Sequence, residues 1–210
     1  MITSALRSEH LSLGKITECE AGRDAAAVLA DAFAVDPVLR YCIPQEKRRS
    51  QVLPLLYEKT TRIAMAIGGV ELLSGRAGAL WLEGRMDAPF LLALRLGFLR
   101  VLWKIGAGAL IRLIRHEHYC ASRARKLGPK QYGYVWVLGV ASASQGQGWG
   151  HATLGRTLDV FRRRGHRVCL LKTESEGNVV FYKKCGFTCI DTMVVPSSGI
   201  RYWLMQKELT

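Results

Sequence analysis

The chain is 210 residues long, 49% hydrophobic and strongly basic, with 30 Lys and Arg against 17 Asp and Glu for a net charge of +13. That much apolar sequence suffices for a single domain, 1–210, with a buried core. Its six cysteines (Cys19, Cys42, Cys120, Cys169, Cys185, Cys189) are scattered with no CxxC pair, which excludes a cysteine metal cluster; the first seven residues lack the apolar run of a signal peptide, so a cytoplasmic location is expected.

Residues 13–17 read as a short first strand, and 23–33 as a helix with Leu29 and Phe33 one turn apart. Asp36-Pro37 stops that helix, because the residue before proline is pushed out of helical geometry. A second helix is expected from about Ser50, with Pro54 in its first turn or as a kink, ending at Gly68-Gly69 in a left-handed cap. Residues 70–73 and 77–82 flank Ser74-Gly75-Arg76 and form a hairpin.

Residues 89–114 are rich in Leu, Phe and Val and invite comparison with a membrane span. Arg100 and Lys104 would then lie near the bilayer centre at roughly 2.5–3.5 kcal/mol each, cancelling most of what a dozen apolar residues supply at about 0.3–0.6 each. One or two helices broken at Gly106 and Gly108, laid over a sheet or forming a substrate wall, are expected instead. From Arg95 to Lys130 nine cations face Glu117 alone, an excess that favours polyanionic company: a coenzyme, an acidic substrate, nucleic acid or an anionic membrane face.

A strand-like run at 134–140 comes directly before Gln145-Gly146-Gln147-Gly148-Trp149-Gly150, after which Leu154, Leu158 and Phe161 fall at helical spacing. Alternate glycines leave peptide N–H groups uncovered, so at a helix N-terminus they can surround a pyrophosphate and add the positive end of the helix dipole. A Rossmann site would want a third glycine where His151 stands, and no Gly-Lys-Ser or Gly-Lys-Thr follows for a P-loop. Arg162-Arg163-Arg164 suits the negative end of the same helix. A second block brings an apolar strand at 168–171, then Thr173-Glu174, then Asn178-Val179-Val180-Phe181-Tyr182 and Cys185-Gly186-Phe187.

The two blocks, in this order, resemble the GNAT acetyltransferase superfamily, whose coenzyme A loop reads Gln or Arg, two residues, Gly, one residue, then Gly or Ala; Gln145, Gly148 and Gly150 meet it. The likeness is close over about residues 132–208 and holds in outline before that. It implies an α/β fold with a central mixed, mostly antiparallel sheet flanked by helices, here with an extra basic helical insertion around 88–130. It also implies acetyl-CoA as co-substrate for N-acetyl transfer to a primary amine of a small molecule or peptide, by a monomer or homodimer. Coenzyme contacts are expected at Leu138, Gly139, Val140, Gln145, Gly146, Gln147, Gly148, Trp149, Gly150, His151 and Asn178, with no metal.

Direct attack on a thioester needs a donor for the oxyanion, a proton for the departing thiolate and an uncharged amine. A backbone N–H between Leu138 and Val140 is the natural oxyanion donor, and Gly139 suggests a bulge or a close backbone approach that would free it. The resemblance places Tyr182 at the sulfur as general acid; otherwise it packs as a core aromatic beside Phe181 and Phe187. Asn178, four residues earlier on the same helical face, would bond the coenzyme or cap its helix. The strand at 134–140 carries no Asp or Glu, so the base is open among Glu174, Glu176, His116, His118 and a water chain. His116-Glu117-His118 has metal-like spacing but no second cluster. The loop at 141–144 departs from the family's acidic residue and proline. The basic segment argues for an acceptor bearing carboxylate or phosphate. The missing strand carboxylate leaves one alternative, a non-catalytic module on nucleic acid or an anionic membrane.

Overall fold

A computed structural model describes residues 18–86, 88–129 and 131–210, and the strand expected at 13–17 lies outside them. Helix α1 (Glu18–Ala32) is followed by α2 (Pro37–Cys42), whose N-cap is Asp36: its Oδ1 accepts the Leu39 N–H at 2.9 Å, with Pro37 in the first position where no N–H is needed. Helix α3 (Glu46–Ile67) starts earlier than the expected Ser50, and Pro54 lies well inside it. It buries Val52, Leu53, Leu56, Tyr57, Ile63 and Ala64 against the sheet.

No left-handed cap ends α3, contrary to expectation. It runs directly into β1 (Gly68–Leu73), with Gly68 at φ −172° and ψ −113°. The glycines are there because β2 (Ala77–Glu83) passes so close: a Cβ on Gly68 would sit 1.9 Å from the Trp81 carbonyl oxygen, and one on Gly69 2.2 Å from the Trp81 ring. The hairpin forms as expected, with Ser74 and Gly75 both at positive φ, a turn whose twist matches the strands it joins.

Helix α4 (Phe90–Arg95) and the long α5 (Leu99–Leu127) follow. Of the two expected breaks only Gly106 is real, at φ 75° and ψ 157°, while Gly108 continues the helix. At the break the Lys104 carbonyl accepts two N–H groups of Arg48, at 3.1 and 2.9 Å. Among the described residues no helix is long and apolar enough to cross a membrane.

Strands β3 (Gly133–Val140), β4 (Val168–Thr173), β5 (Thr188–Val194) and β6 (Arg201–Glu208) complete a six-stranded sheet of order β1-β2-β3-β4-β6-β5. Every neighbouring pair is antiparallel except β3 and β4, which run parallel. Helix α6 (Trp149–Arg163) and α7 (Glu176–Lys184) cover one face, over a core of Val135, Leu154, Phe161, Leu171, Tyr182 and Phe187. Helices α1, α3 and α5 cover the other, over Leu29, Leu53, Leu80, Val101, Tyr134 and Leu204.

Two irregularities in β3 shape everything downstream. The register against β2 jumps from Leu80↔Val137 to Trp81↔Val135, so the bulge lies at Trp136 and not at Gly139, which pairs regularly with Gly78. Trp136 and Val137 consequently both pack toward the α1 and α5 side, whereas Val135 and Leu138 face α6 and α7. Moreover, β3 pairs with β4 only through Gly133, Tyr134 and Val135. Beyond Val135 the two parallel strands part, and the backbone groups that β3 turns toward β4 lose their ladder partners. Gly139 answers instead to close approach: a Cβ there would meet Ala32 Cβ at 2.8 Å and Leu29 Cδ2 at 2.9 Å. Gly139→Ala should therefore push α1 off the sheet and cost about 1–3 kcal/mol; a chemical denaturation midpoint equal to wild type would contradict this packing.

Candidate active site

The turn between β3 and α6 is built as a cradle. Gly146 and Gly148 stand at φ 75° and 85°, values that favour glycine, and a Cβ on either would meet nothing within 4 Å, so the space in front of them is open. Gly148 is the N-cap of α6 and offers no side-chain bond, leaving the first N–H groups of the helix, at Trp149, Gly150 and His151, without a cap. An uncapped, positively polarised helix end facing open space is suited to phosphate oxygens.

The side chains of the loop mostly hold the loop itself. Gln145 Nε2 donates to the Val140 carbonyl at 3.3 Å and Gln147 Nε2 to Ala143 at 3.2 Å, while Trp149 Nε1 reaches Gln147 Oε1 at 3.4 Å. Asp31 takes the place of the missing loop carboxylate, accepting the Ser142 N–H at 2.6 Å and its hydroxyl at 3.2 Å. The Arg76 guanidinium lies 5.0 Å over the Trp149 ring and adds a cation beside the cradle. His151 Nδ1 meets Cys185 Sγ at 3.5 Å, tying α6 to the end of α7.

Across the cleft where β3 and β4 part stands α7. Tyr182 is buried with Phe181 and Phe187 edge-on to it at ring-centroid distances of 5.1 and 5.7 Å. Burial pushes its phenol well above the ordinary tyrosine range, so it is protonated at any neutral pH. Asn178 is exposed in the first turn of α7, whose N-cap is Ser175, so it does not cap the helix.

On the α5 face of the sheet a charge cluster joins residues far apart in the chain, with His116 buried, Lys172 and Glu174 nearly so and Glu117 at its exposed edge. Lys172, on β4, donates to Glu174 Oε1 at 2.8 Å and to Glu117 Oε1 at 2.9 Å. His116, on α5, is fully buried, with Nε2 3.4 Å from Glu174 Oε1 and Nδ1 3.1 Å from Ser198 Oγ. Ser198 Oγ also accepts the Ile200 N–H at 3.3 Å, and because the ionised Glu174 can only accept, Nε2 of His116 is the donor to it. The Tyr41 hydroxyl donates to the Ser197 carbonyl and fastens this β5–β6 loop to α2. Tyr134, whose hydroxyl feels the same charges, has no hydrogen-bond partner for it although fully buried.

The electrostatics of this cluster are divided. Burial by itself would raise the Glu174 carboxyl, yet Lys172 and His116 hold it at about 2. Burial would likewise lower the Lys172 ammonium, but Glu117 and Glu174 hold it well above the ordinary lysine value. Asp36 goes the other way: burial, with Glu174 adding repulsion, lifts it to about 6 against the pull of its bond from Leu39. One carboxylate is thus permanently ionised and its neighbour is poised near neutrality, a separation typical of acid–base sites. His116, Cys120 and Glu174 also bring three metal-capable atoms within 4.8 Å of one another. The Lys172 ammonium against Glu174 already supplies the positive charge there, so this is an ion-pair cluster and not a cation site.

Several of these participants escape a linear reading. Asp36 reads in sequence only as a helix stop, Lys172 as a strand residue and Ser198 as part of a turn. Of the proposed bases His116 and Glu174 come together, while His118 and Glu176 are exposed and form no part of the cluster.

Similarity to known proteins agrees with this geometry. The model of the acetyltransferase (GNAT) family matches residues 95–187, a span that begins inside the basic segment and takes in the cradle, the cleft and α7. A GNAT acetyltransferase domain is recognised at residues 95–187. Three solved structures share its fold over nearly their whole length. A Corynebacterium glutamicum protein described as histone acetyltransferase HPA2 and related acetyltransferase is 22% identical, with 89% of this chain and 90% of that one covered and a TM-score of 0.61. Arylalkylamine N-acetyltransferase 2 from Aedes aegypti is 14% identical over 91% and 95%, with a TM-score of 0.63. An agmatine N-acetyltransferase is 13% identical over 93% and 97%, with a TM-score of 0.60. The GNAT family uses acetyl-CoA as co-substrate, and the cradle fits its phosphates by open glycines and an uncapped helix end.

The displaced titration of Asp36 has a signed effect on stability. Its folded value, about 6, exceeds the ordinary 3.8, so the unfolded chain loses the proton first and stability falls as pH rises between those two values. Asp36→Asn keeps the cap without the ionisable group. It should match wild type near pH 4 and become more stable by on the order of 1–3 kcal/mol above about pH 6. Paired thermal melts across this range test it, and a constant difference at all pH values would contradict the assignment.

Proposed function

We propose that this protein transfers the acetyl group of acetyl-CoA to a primary amine of a small molecule or peptide by direct attack on the thioester. The observation that supports this reading is the parting of β3 from β4 beyond Val135, next to the open glycine turn that begins α6; Tyr182, protonated, would work from the α7 face of the sheet and Asp36 from the other. Gly146, Gly148 and the first turn of α6 would hold the pyrophosphate, and the unpaired backbone of β3 from Leu138 to Val140 would hold the extended arm as an added strand. A β4-facing N–H of that stretch then donates to the acetyl oxygen as charge develops there.

As the C–S bond breaks, Tyr182 would give its proton to the departing sulfur and recover the second proton shed by the newly bonded nitrogen. Asp36, lifted to about 6, accepts the proton of the incoming ammonium and is regenerated near neutral pH. His116 and Glu174 shape the field around it: Glu174 is held ionised and is balanced by Lys172. The acceptor is a primary amine. The two neighbours named for arylalkylamines and agmatine are amine acetyltransferases, which supports the same class. The family match and the paired acid and base support an enzyme over a non-catalytic module.

An amine panel read by release of free coenzyme A thiol tests the reading, with agmatine and arylalkylamines expected to outrun amino acids and phosphorylated amines. Tyr182→Phe should lower turnover roughly a hundredfold while leaving acetyl-CoA affinity within a few-fold of wild type; unchanged turnover would remove its role. In wild type the rate should climb through about pH 6, and Asp36→Asn should abolish that limb. A limb that survives the substitution would assign the base elsewhere in the cluster.

A further inference from the structure

The outward side of α4 and α5 belongs neither to the core nor to the cleft. Phe90 and Leu91 are exposed on α4; on α5 Leu99 and Trp103 stand one turn apart before the Gly106 break, and Ile111 and Ile114 one turn apart after it, all exposed. Trp103 is 92% exposed, an extreme value for the largest apolar side chain. Isolated surface leucines need no explanation, but a run of six large apolar residues on one segment marks an interaction site.

The charges on the same segment have one sign. Arg95, Arg100, Lys104 and Arg115 are exposed, and no Asp or Glu occurs anywhere from position 88 to 116. Leu55, Leu99, Arg100, Trp103 and Lys104 line a single shallow groove, and Arg48 adds its guanidinium at the Lys104 carbonyl. Arg112 turns inward, donating to the Cys42 carbonyl at 2.6 Å, and is not part of this surface. We propose that the α4–α5 face docks onto an anionic lipid bilayer, lying in the headgroup layer with Trp103 and its apolar neighbours inserted and the cations against phosphate and carboxylate headgroups.

Three kinds of partner compete for such a surface, and its chemistry separates them. A nucleic acid would satisfy Arg95, Arg100, Lys104 and Arg115 but offers nothing to Leu99, Ile111 and Ile114. A second copy docked about a twofold axis would cover the apolar residues while setting cation against cation. An anionic bilayer answers both, since tryptophan and basic residues beside an apolar stripe are the makeup of helices that lie in the interface. Among the described residues no helix is long and apolar enough to cross a membrane, and the attachment proposed is to the surface.

This inference is independent of acetyl transfer and its test needs no acceptor. The full chain is sedimented with vesicles of phosphatidylcholine alone or with phosphatidylserine, and tryptophan emission is followed in parallel. Binding to the phosphatidylserine vesicles should exceed that to neutral ones by about tenfold or more and weaken with added salt. Trp103→Ser and the Arg100→Glu/Lys104→Glu pair should each reduce it about tenfold, with melting temperatures close to wild type because all three side chains are exposed. Tyr182→Phe should bind as wild type does. Equal binding to neutral vesicles, no loss in Trp103→Ser, tighter binding to duplex DNA or RNA at the same salt, or a dimer dispersed by Trp103→Ser would each overturn the proposal.

Discussion

Everything that makes a site of this fold depends on two parallel strands that start together and separate. Through Gly133, Tyr134 and Val135 strand β3 is locked to β4, and in the residues that follow it keeps only its β2 partner. A sheet interior rarely leaves backbone groups without partners, because each one buried costs more than a hydrogen bond returns. The bulge at Trp136 turns the β3 backbone just past the last paired residue. Where the strands part, α7 packs Tyr182 on one face of the sheet, while α2, α5 and the β5–β6 loop bring polar groups together on the other.

The polar side of the cleft is stable as a set and in no smaller unit. Lys172, Glu117, Glu174 and His116 are brought in from β4 and α5, and each compensates the burial of another. Removing one would leave a desolvated charge without its partner, which is why such clusters are costly to mutate and also rigid. Asp36 stands within the field of this set without a salt bridge of its own. Burial lifts its carboxyl to about 6, whereas Lys172 holds Glu174 well below the ordinary carboxylate range.

Helix α5 has two employments separated by one residue. Before Gly106 it presents Leu99, Arg100, Trp103 and Lys104 outward while burying Val101 and Ile105; after it the helix keeps Ile111 and Ile114 exposed and delivers His116, Cys120 and Ala124 to the buried side of the sheet. A positive φ is needed at that change of direction, and glycine supplies it without strain.

The sequence alone determined the local chemistry. The strand before the glycine turn and the helix after it follow from periodicity, and the alternate glycines from the need to leave peptide N–H groups uncovered, whereas the part of Tyr182 rests on the resemblance of the 178–187 block to the GNAT superfamily. Position in the sheet was another matter. Gly139 suggested a bulge or a close approach and is the latter, a packing glycine beneath α1 that pairs regularly in the sheet, and Gly68-Gly69 looked like a helix cap and is a close crossing of strands, because a missing Cβ does not say which neighbour requires its absence. The assembly of Asp36, His116, Lys172, Glu174 and Ser198 was decided only by tertiary structure. Those residues are separated by long stretches of chain, and the burial and mutual charge that set their protonation come into being only when the helices close over the sheet.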